Sequence, residues 1–108
     1  MELKRVVVTG LGAVTPVGNT PDETWSNLLA GKSGAGKITH FDPTNFKTQF
    51  ACEVKNLNTN DYIDRKEARK IDLYAQFALI AAQQAIEDCA ADLETIDKNR
   101  VGVVFGVG

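Results

Sequence analysis

Two short runs constrain this chain more than anything else in it. Arg5-Val6-Val7-Val8-Thr9 ends at Gly10-Leu11-Gly12, and Val101-Gly102-Val103-Val104-Phe105 ends at Gly106-Val107-Gly108. Neither run alternates with polar residues, so each reads as a strand covered on both faces. Such strands need hydrogen-bonded neighbours and a packed layer on either side. At 108 residues the chain has the commonest size of a single domain. With only two such strands, however, it reads as an α/β edge of a larger domain, incomplete in these residues. The alternative is a small α/β domain that exposes part of this surface.

Between the runs the pattern is mostly helical. Thr20-Pro21-Asp22-Glu23 is a helix start, with Thr20 as cap, Pro21 at the first helical position and Glu23 closing a capping box. That helix carries Trp25, Leu28 and Leu29 on one side and stops at Gly31. Phe50, Cys52 and Val54 alternate with Ala51, Glu53 and Lys55, which predicts a half-buried strand with the first three inward. A long helix is expected from Arg65 to Ala90, capped by Asp64 with Glu67 three residues on. At 100° per residue, Ile71, Tyr74, Ala75 and Ala78 cluster on one side and Leu73, Phe77 and Ile80 on another. A helix apolar on several sides belongs inside a large protein or at a subunit interface.

Composition removes several function classes. With 44% hydrophobic and 24% charged residues the chain is neither disordered, collagenous nor a disulfide scaffold. A net charge of −2 argues against a general nucleic-acid binder. Cys52 and Cys89 have no CxxC spacing, and His40 is the single histidine, so no zinc ligand set is expected. Three valines after Arg5 are too few for a signal-peptide core. The Ile71–Ile86 stretch is broken by Asp72, Gln76, Gln83 and Gln84, short of the ~18 apolar residues of a membrane span. The expectation is a soluble, cytoplasmic protein that touches neither nucleic acid nor membrane.

Three tempting motifs fail on chemistry. Gly10-Leu11-Gly12-Ala13-Val14-Thr15 places Thr15 where a dinucleotide fingerprint needs its third glycine, and Pro16 and Gly18 prolong the loop instead of opening a helix. A backbone turn beside a packed sheet edge is preferred. Gly31-Lys32-Ser33-Gly34-Ala35-Gly36-Lys37-Ile38 has phosphate-loop spacing, but Ile38 replaces the magnesium-binding hydroxyl and no helix follows. It reads as a Gly-rich turn. Cys89 lies beside Glu87 and Asp88 near a helix end, where carboxylates and dipole oppose a thiolate, and Cys52 sits on an apolar strand face. Both read as small core residues, and His40 as a turn residue.

Arg65-Lys66-Glu67-Ala68-Arg69-Lys70 is the most informative local feature. Its four cations share one broad face at the start of the expected long helix. A helix N-terminus disfavours exposed cations by roughly 0.3–1 kcal/mol each. Asp64 and Glu67 offset part of that cost, and Glu87, Asp88, Asp92, Glu94 and Asp97 surround the other end. The cluster is either a docking spot for an anionic partner or a solvated helix start with local ion pairs, and the residues alone leave both open.

In one register over the whole chain, the sequence resembles the N-terminus of β-ketoacyl-[acyl-carrier-protein] synthases. The resemblance is carried by Arg5 to Gly12, Thr15-Pro16-Val17-Gly18-Asn19-Thr20, Trp25, Leu28 to Gly31, Ser33-Gly34, His40-Phe41-Asp42, Arg65-Lys66-Glu67, Arg69-Lys70 and Asp72. It is strongest to the elongating type II synthases of bacterial fatty-acid synthesis.

The resemblance implies the N-terminal portion of a thiolase-like α-β-α-β-α sandwich, with residues 1–108 forming the first part of its N-terminal domain. It implies decarboxylative Claisen condensation of an acyl thioester with malonyl-acyl carrier protein, in a homodimer and without metal or organic cofactor. The family's catalytic cysteine, histidines and lysine match no position here, so no catalytic residue is assigned. Lys66, Arg69 and Lys70 match the basic helix that meets the acidic acyl carrier protein. Gly106-Val107-Gly108 matches the start of a loop near the acyl pocket and dimer interface. The rival expectation is a non-catalytic carrier-docking module or a chain-length-factor-like partner subunit.

Overall fold

The computed structural model describes residues 1–107 and contains three helices and one two-stranded hairpin. Helix α1 spans Pro21–Leu29, β1 Ala35–Lys37, β2 Phe50–Cys52, α2 Arg65–Ala68 and α3 Leu73–Cys89. Single turns of tighter helix lie at Thr59–Asp61 and Lys98–Arg100.

Helix α1 starts as its capping residues require. The Thr20 hydroxyl accepts the Glu23 N–H at 3.2 Å, and the Glu23 carboxylate reaches back to the Asn19 N–H at 3.0 Å. Its end passes through Gly31 at φ 67°, a left-handed conformation that glycine adopts without cost. Strands β1 and β2 pair antiparallel, with Ala35 opposite Cys52 and Lys37 opposite Phe50. The segment expected to be a Gly-rich turn therefore supplies a strand at Ala35–Lys37. Three residues, the middle one a glycine, carry too little hydrophobic alternation to announce a strand.

Helix α3 organises the rest. Its Ala-, Leu- and Gln-rich sequence favours helix throughout, and it ends at Ala90 in a left-handed conformation with φ 50°. The loop from Gly10 to Asn19 lies along it. A Cβ on Gly12 would stand 1.8 Å from the Ala81 carbonyl oxygen, and one on Gly10 2.2 Å from that of Ala85. Both positions admit only glycine, because backbone meets backbone. Asp88 accepts the Leu11 N–H at 2.9 Å, Gln84 accepts the Ala13 N–H at 3.0 Å, and the Gln84 amide donates to the Asn19 carbonyl at 2.7 Å. The glycine pair is thus a helix-packing device, and the expected turn beside a packed sheet edge is corrected: the partner of Gly10 and Gly12 is the α3 backbone.

Lys55 ties this loop to the hairpin. Its ammonium donates to the carbonyls of Pro16 at 3.2 Å, Gly34 at 2.7 Å and Glu53 at 2.9 Å. Asn19 donates in turn to the Lys55 carbonyl at 2.9 Å.

Several expectations are corrected. Among the described residues, Val6–Thr9 and Val101–Phe105 join no ladder; β1 with β2 is the single sheet. A strand needs a hydrogen-bonded neighbour, and neither run has one here. The helix expected from Arg65 to Ala90 is two helices, interrupted between Arg69 and Asp72. Phe50 is 66% exposed and Cys52 is exposed, whereas Ala51 between them is partly covered. The inward face of β2 is therefore the opposite one, since no layer packs over the Phe50 side. Cys52 is accordingly a surface thiol rather than a core residue. Of the Gly106–Gly108 segment, Gly106 and Val107 line a surface groove with Val14, Tyr74 and Phe77. Gly108 lies outside the described residues.

Among the described residues only Ala68, 7% exposed, and Ile80, 0% exposed, are buried hydrophobics. The radius of gyration is 17.3 Å, against about 13 Å for a closed domain of this length. Val6 is 90% and Val104 96% exposed, and Trp25, Leu28 and Leu29 of α1 also face outward. The structure is an open α/β assembly whose apolar surfaces are those that the sequence marks for burial.

Candidate functional site: a basic helix turn and its supports

The cluster Arg65-Lys66-Glu67-Ala68-Arg69-Lys70 occupies α2 and the bend after it. Asp64 caps the helix, its carboxylate accepting the Lys66 N–H at 2.9 Å and its carbonyl the Ala68 N–H at 2.8 Å. Ala68 is the buried anchor of this turn, while Arg65, Lys66, Arg69 and Lys70 are all exposed. The three candidate residues Lys66, Arg69 and Lys70 all lie within this turn and the bend that follows it, each exposed.

The break after Ala68 revises the electrostatic argument. Arg69 is the C-terminal cap of α2, and the Lys70 N–H closes the last turn on the Glu67 carbonyl at 3.0 Å. The carbonyls that end this single turn favour cations, while the N-terminus of the longer α3 just beyond opposes them. The same two residues stand just ahead of α3, whose cap residue Asp72 makes no side-chain capping bond. The patch is thus a cationic bend between two helices.

Its cations differ in freedom. Lys70 pairs with Glu67 at 2.7 Å, both side chains being largely exposed. Such a pair contributes only ~0–1 kcal/mol and exchanges partners readily. Among the described residues, Arg65, Lys66 and Arg69 form no ion pair.

One support was not legible in the motif. Gln76, one turn into α3, donates its side-chain amide to the Ala68 carbonyl at 2.9 Å and to the Ile71 carbonyl at 3.4 Å. Those carbonyls belong to the end of α2 and to the bend, where no intrahelical partner follows. The only signal in the sequence is a lone amide among Leu73, Tyr74, Ala75, Phe77 and Ala78.

The other polar residues have structural settings. Glu53 accepts the Thr39 hydroxyl at 2.8 Å, the Thr39 N–H at 3.1 Å and the His40 N–H at 3.3 Å, with His40 Nε2 at 3.8 Å. The Thr39 bonds hold its carboxyl below the ordinary value. His40 therefore stays at a turn, as expected. The Cys89 thiol donates to the Ile86 carbonyl at 3.0 Å. Among the described residues no three His, Cys, Asp or Glu side chains converge, and no helix is long and apolar enough to cross a membrane. The Gly31–Ile38 segment runs through a strand, with no helix N-terminus to receive a phosphate.

The described residues thus join a basic helical bend to a long helix that is clasped by a Gly-x-Gly loop. The chain belongs to the β-ketoacyl synthases: residues 3–108 match the family described as β-ketoacyl synthase, N-terminal domain. Its fold is the N-terminal portion of the thiolase-like ketosynthase domain.

Individual relatives sharpen this. The chain is 46% identical over 108 residues to 3-oxoacyl-[acyl-carrier-protein] synthase 2 of Vibrio cholerae, covering 100% of this chain and 26% of that protein. It is 44% identical to the protein of the same name from Synechocystis, with the same coverage. Against that of Staphylococcus aureus it is 44% identical over 105 residues, 97% of this chain and 25% of the relative. The chain thus spans about a quarter of the length of the curated relatives it matches. Among solved structures it is similar to the ishigamide ketosynthase/chain length factor, with a TM-score of 0.74 and 32% identity over 82% of this chain and 22% of that one.

Proposed function

We propose that residues 1–108 are the first part of the N-terminal domain of a 3-oxoacyl-[acyl-carrier-protein] synthase of type II. The reaction is fatty-acid elongation by decarboxylative Claisen condensation. An acyl chain passes from its carrier thioester to an enzyme cysteine; malonyl-acyl carrier protein loses carbon dioxide, and its carbanion attacks the new thioester and expels the cysteine thiolate. The cysteine and its histidines are supplied from outside residues 1–108. In this proposal the segment contributes a docking surface for the acidic acyl carrier protein, with Lys66, Arg69 and Lys70 as the contact residues. The parent is a cytoplasmic homodimer.

The observation that supports this most directly is the identity of 44–46% to synthases of that name along essentially the whole chain. The exposed cations of the α2 bend agree with it. The test is a graft in which residues 1–108 replace the matching quarter of the Vibrio cholerae synthase. Condensation of acyl- and malonyl-acyl carrier protein by the graft supports the proposal, and a folded but inactive graft overturns it. A second reading, a chain-length-factor-like subunit, comes from the solved neighbour, whose name pairs a ketosynthase with a chain length factor. It requires the chain to act beside a ketosynthase rather than within one.

A further inference from the structure

Continuous helices do not stop without reason, and the Arg69–Asp72 bend contains neither proline nor glycine. Two observations explain how it is held. Asp72 adopts an extended conformation with ψ 158°, which ends one helix and begins the next. Gln76 then reaches back across the gap to the carbonyls of Ala68 and Ile71. Ala68 is buried, so its carbonyl has little access to water, and without Gln76 it lacks a donor. The amide must present its NH2 group there, since both partners are acceptors. Residues 69–71 are therefore spanned by one side chain, which fixes the direction in which Arg69 and Lys70 leave the backbone.

We infer that Gln76 is a positioning residue for the cationic bend, holding Arg69 and Lys70 in the arrangement that an acidic carrier protein meets. This rests on the docking role proposed above. Affinity for a charged partner depends on cations being held in place before contact, because ordering long side chains and a loose bend on binding weakens association.

The test is titration of the graft described above, residues 1–108 within the Vibrio cholerae synthase, with acyl carrier protein over a range of salt concentrations, alongside hydrogen exchange of the Lys70 amide, which is bonded to the Glu67 carbonyl. Gln76→Met keeps the length of the side chain and removes the donor. It should weaken binding about three- to tenfold, make the salt dependence shallower and speed exchange at Lys70. Gln83→Met, on the same helix but bonded only to Glu87, should leave affinity and bend exchange unchanged. Equal weakening by both variants, in step with their loss of melting temperature, would overturn the inference by reducing Gln76 to a stabilising residue. So would unchanged affinity in Gln76→Met while Lys66→Glu with Arg69→Glu abolishes binding, a result that leaves the docking role standing. If the double reversal leaves affinity and its salt dependence untouched, or the unsubstituted graft does not bind, the docking role fails and the inference with it.

Discussion

Gln84 and Ala13 are bonded although 71 positions separate them in sequence: the Gln84 side-chain oxygen accepts the Ala13 N–H at 3.0 Å. The other end of the same amide donates to the Asn19 carbonyl at 2.7 Å. One side chain on α3 therefore fastens both halves of the loop that precedes α1.

Replacing Gln84 by leucine should orphan two partly buried backbone groups at once. Each unsatisfied group costs about 1–3 kcal/mol, so the urea midpoint should fall clearly with little change in slope. Gln84→Glu keeps the acceptor for Ala13 and loses the donor for Asn19, and should fall between. Equal stability of the Gln84→Leu and wild-type proteins would show that this clasp contributes nothing.

Gly12 and Gly36 should respond oppositely to alanine. The new Cβ at Gly12 would sit 1.8 Å from the Ala81 carbonyl oxygen, whereas nothing lies within 4 Å of one at Gly36. Gly12→Ala must separate loop from helix, at a cost of ~1–3 kcal/mol or more. Gly36→Ala should be neutral or stabilise by up to ~1 kcal/mol through the unfolded state. Thermal melts of the two variants make the comparison.

Stability should fall with acid through Glu53. Its carboxyl titrates below the ordinary value of 4.5, held there first by the Thr39 hydroxyl and then by the Thr39 N–H. A lowered folded pKa contributes stability that is complete above the unfolded value and is lost as pH falls through the folded one. Glu53→Gln should therefore be less stable than wild type at neutral pH. The difference should shrink as pH is taken below 4.5, read from melting temperatures across that range.

Glu67 should act against carrier docking. It holds Lys70 at 2.7 Å and places a negative charge within the cationic bend. Glu67→Gln should tighten binding of acyl carrier protein by up to about fivefold at low salt, with the gain fading as salt rises. Weaker binding by this variant would mean that the ion pair organises the surface instead of masking it.

What the sequence disclosed and what it hid divide along range of interaction. Thr20, Glu23 and Asp64 announced their helix starts because capping is decided within four residues. The family was legible from the opening loop and the basic cluster. The interruption at Arg69–Asp72 was not, because its cause is a side chain in the following helix, and no Pro or Gly marks the site. The inward face of β2 was not legible, because alternation shows that two faces differ but not which one finds a layer. The valine runs at Val6 and Val101 were recognised as sheet material, but sheet formation depends on neighbours that a run cannot supply.

Those two runs have a consequence for handling the molecule. Each is uncharged, rich in β-branched residues and exposed, the profile of a segment that stacks against copies of itself. Each also begins directly after an arginine, Arg5 in one case and Arg100 in the other. Stacking like runs in register would line up those guanidinium groups a few ångströms apart, where they repel. Neutralising these arginines should therefore cost solubility before it costs folding.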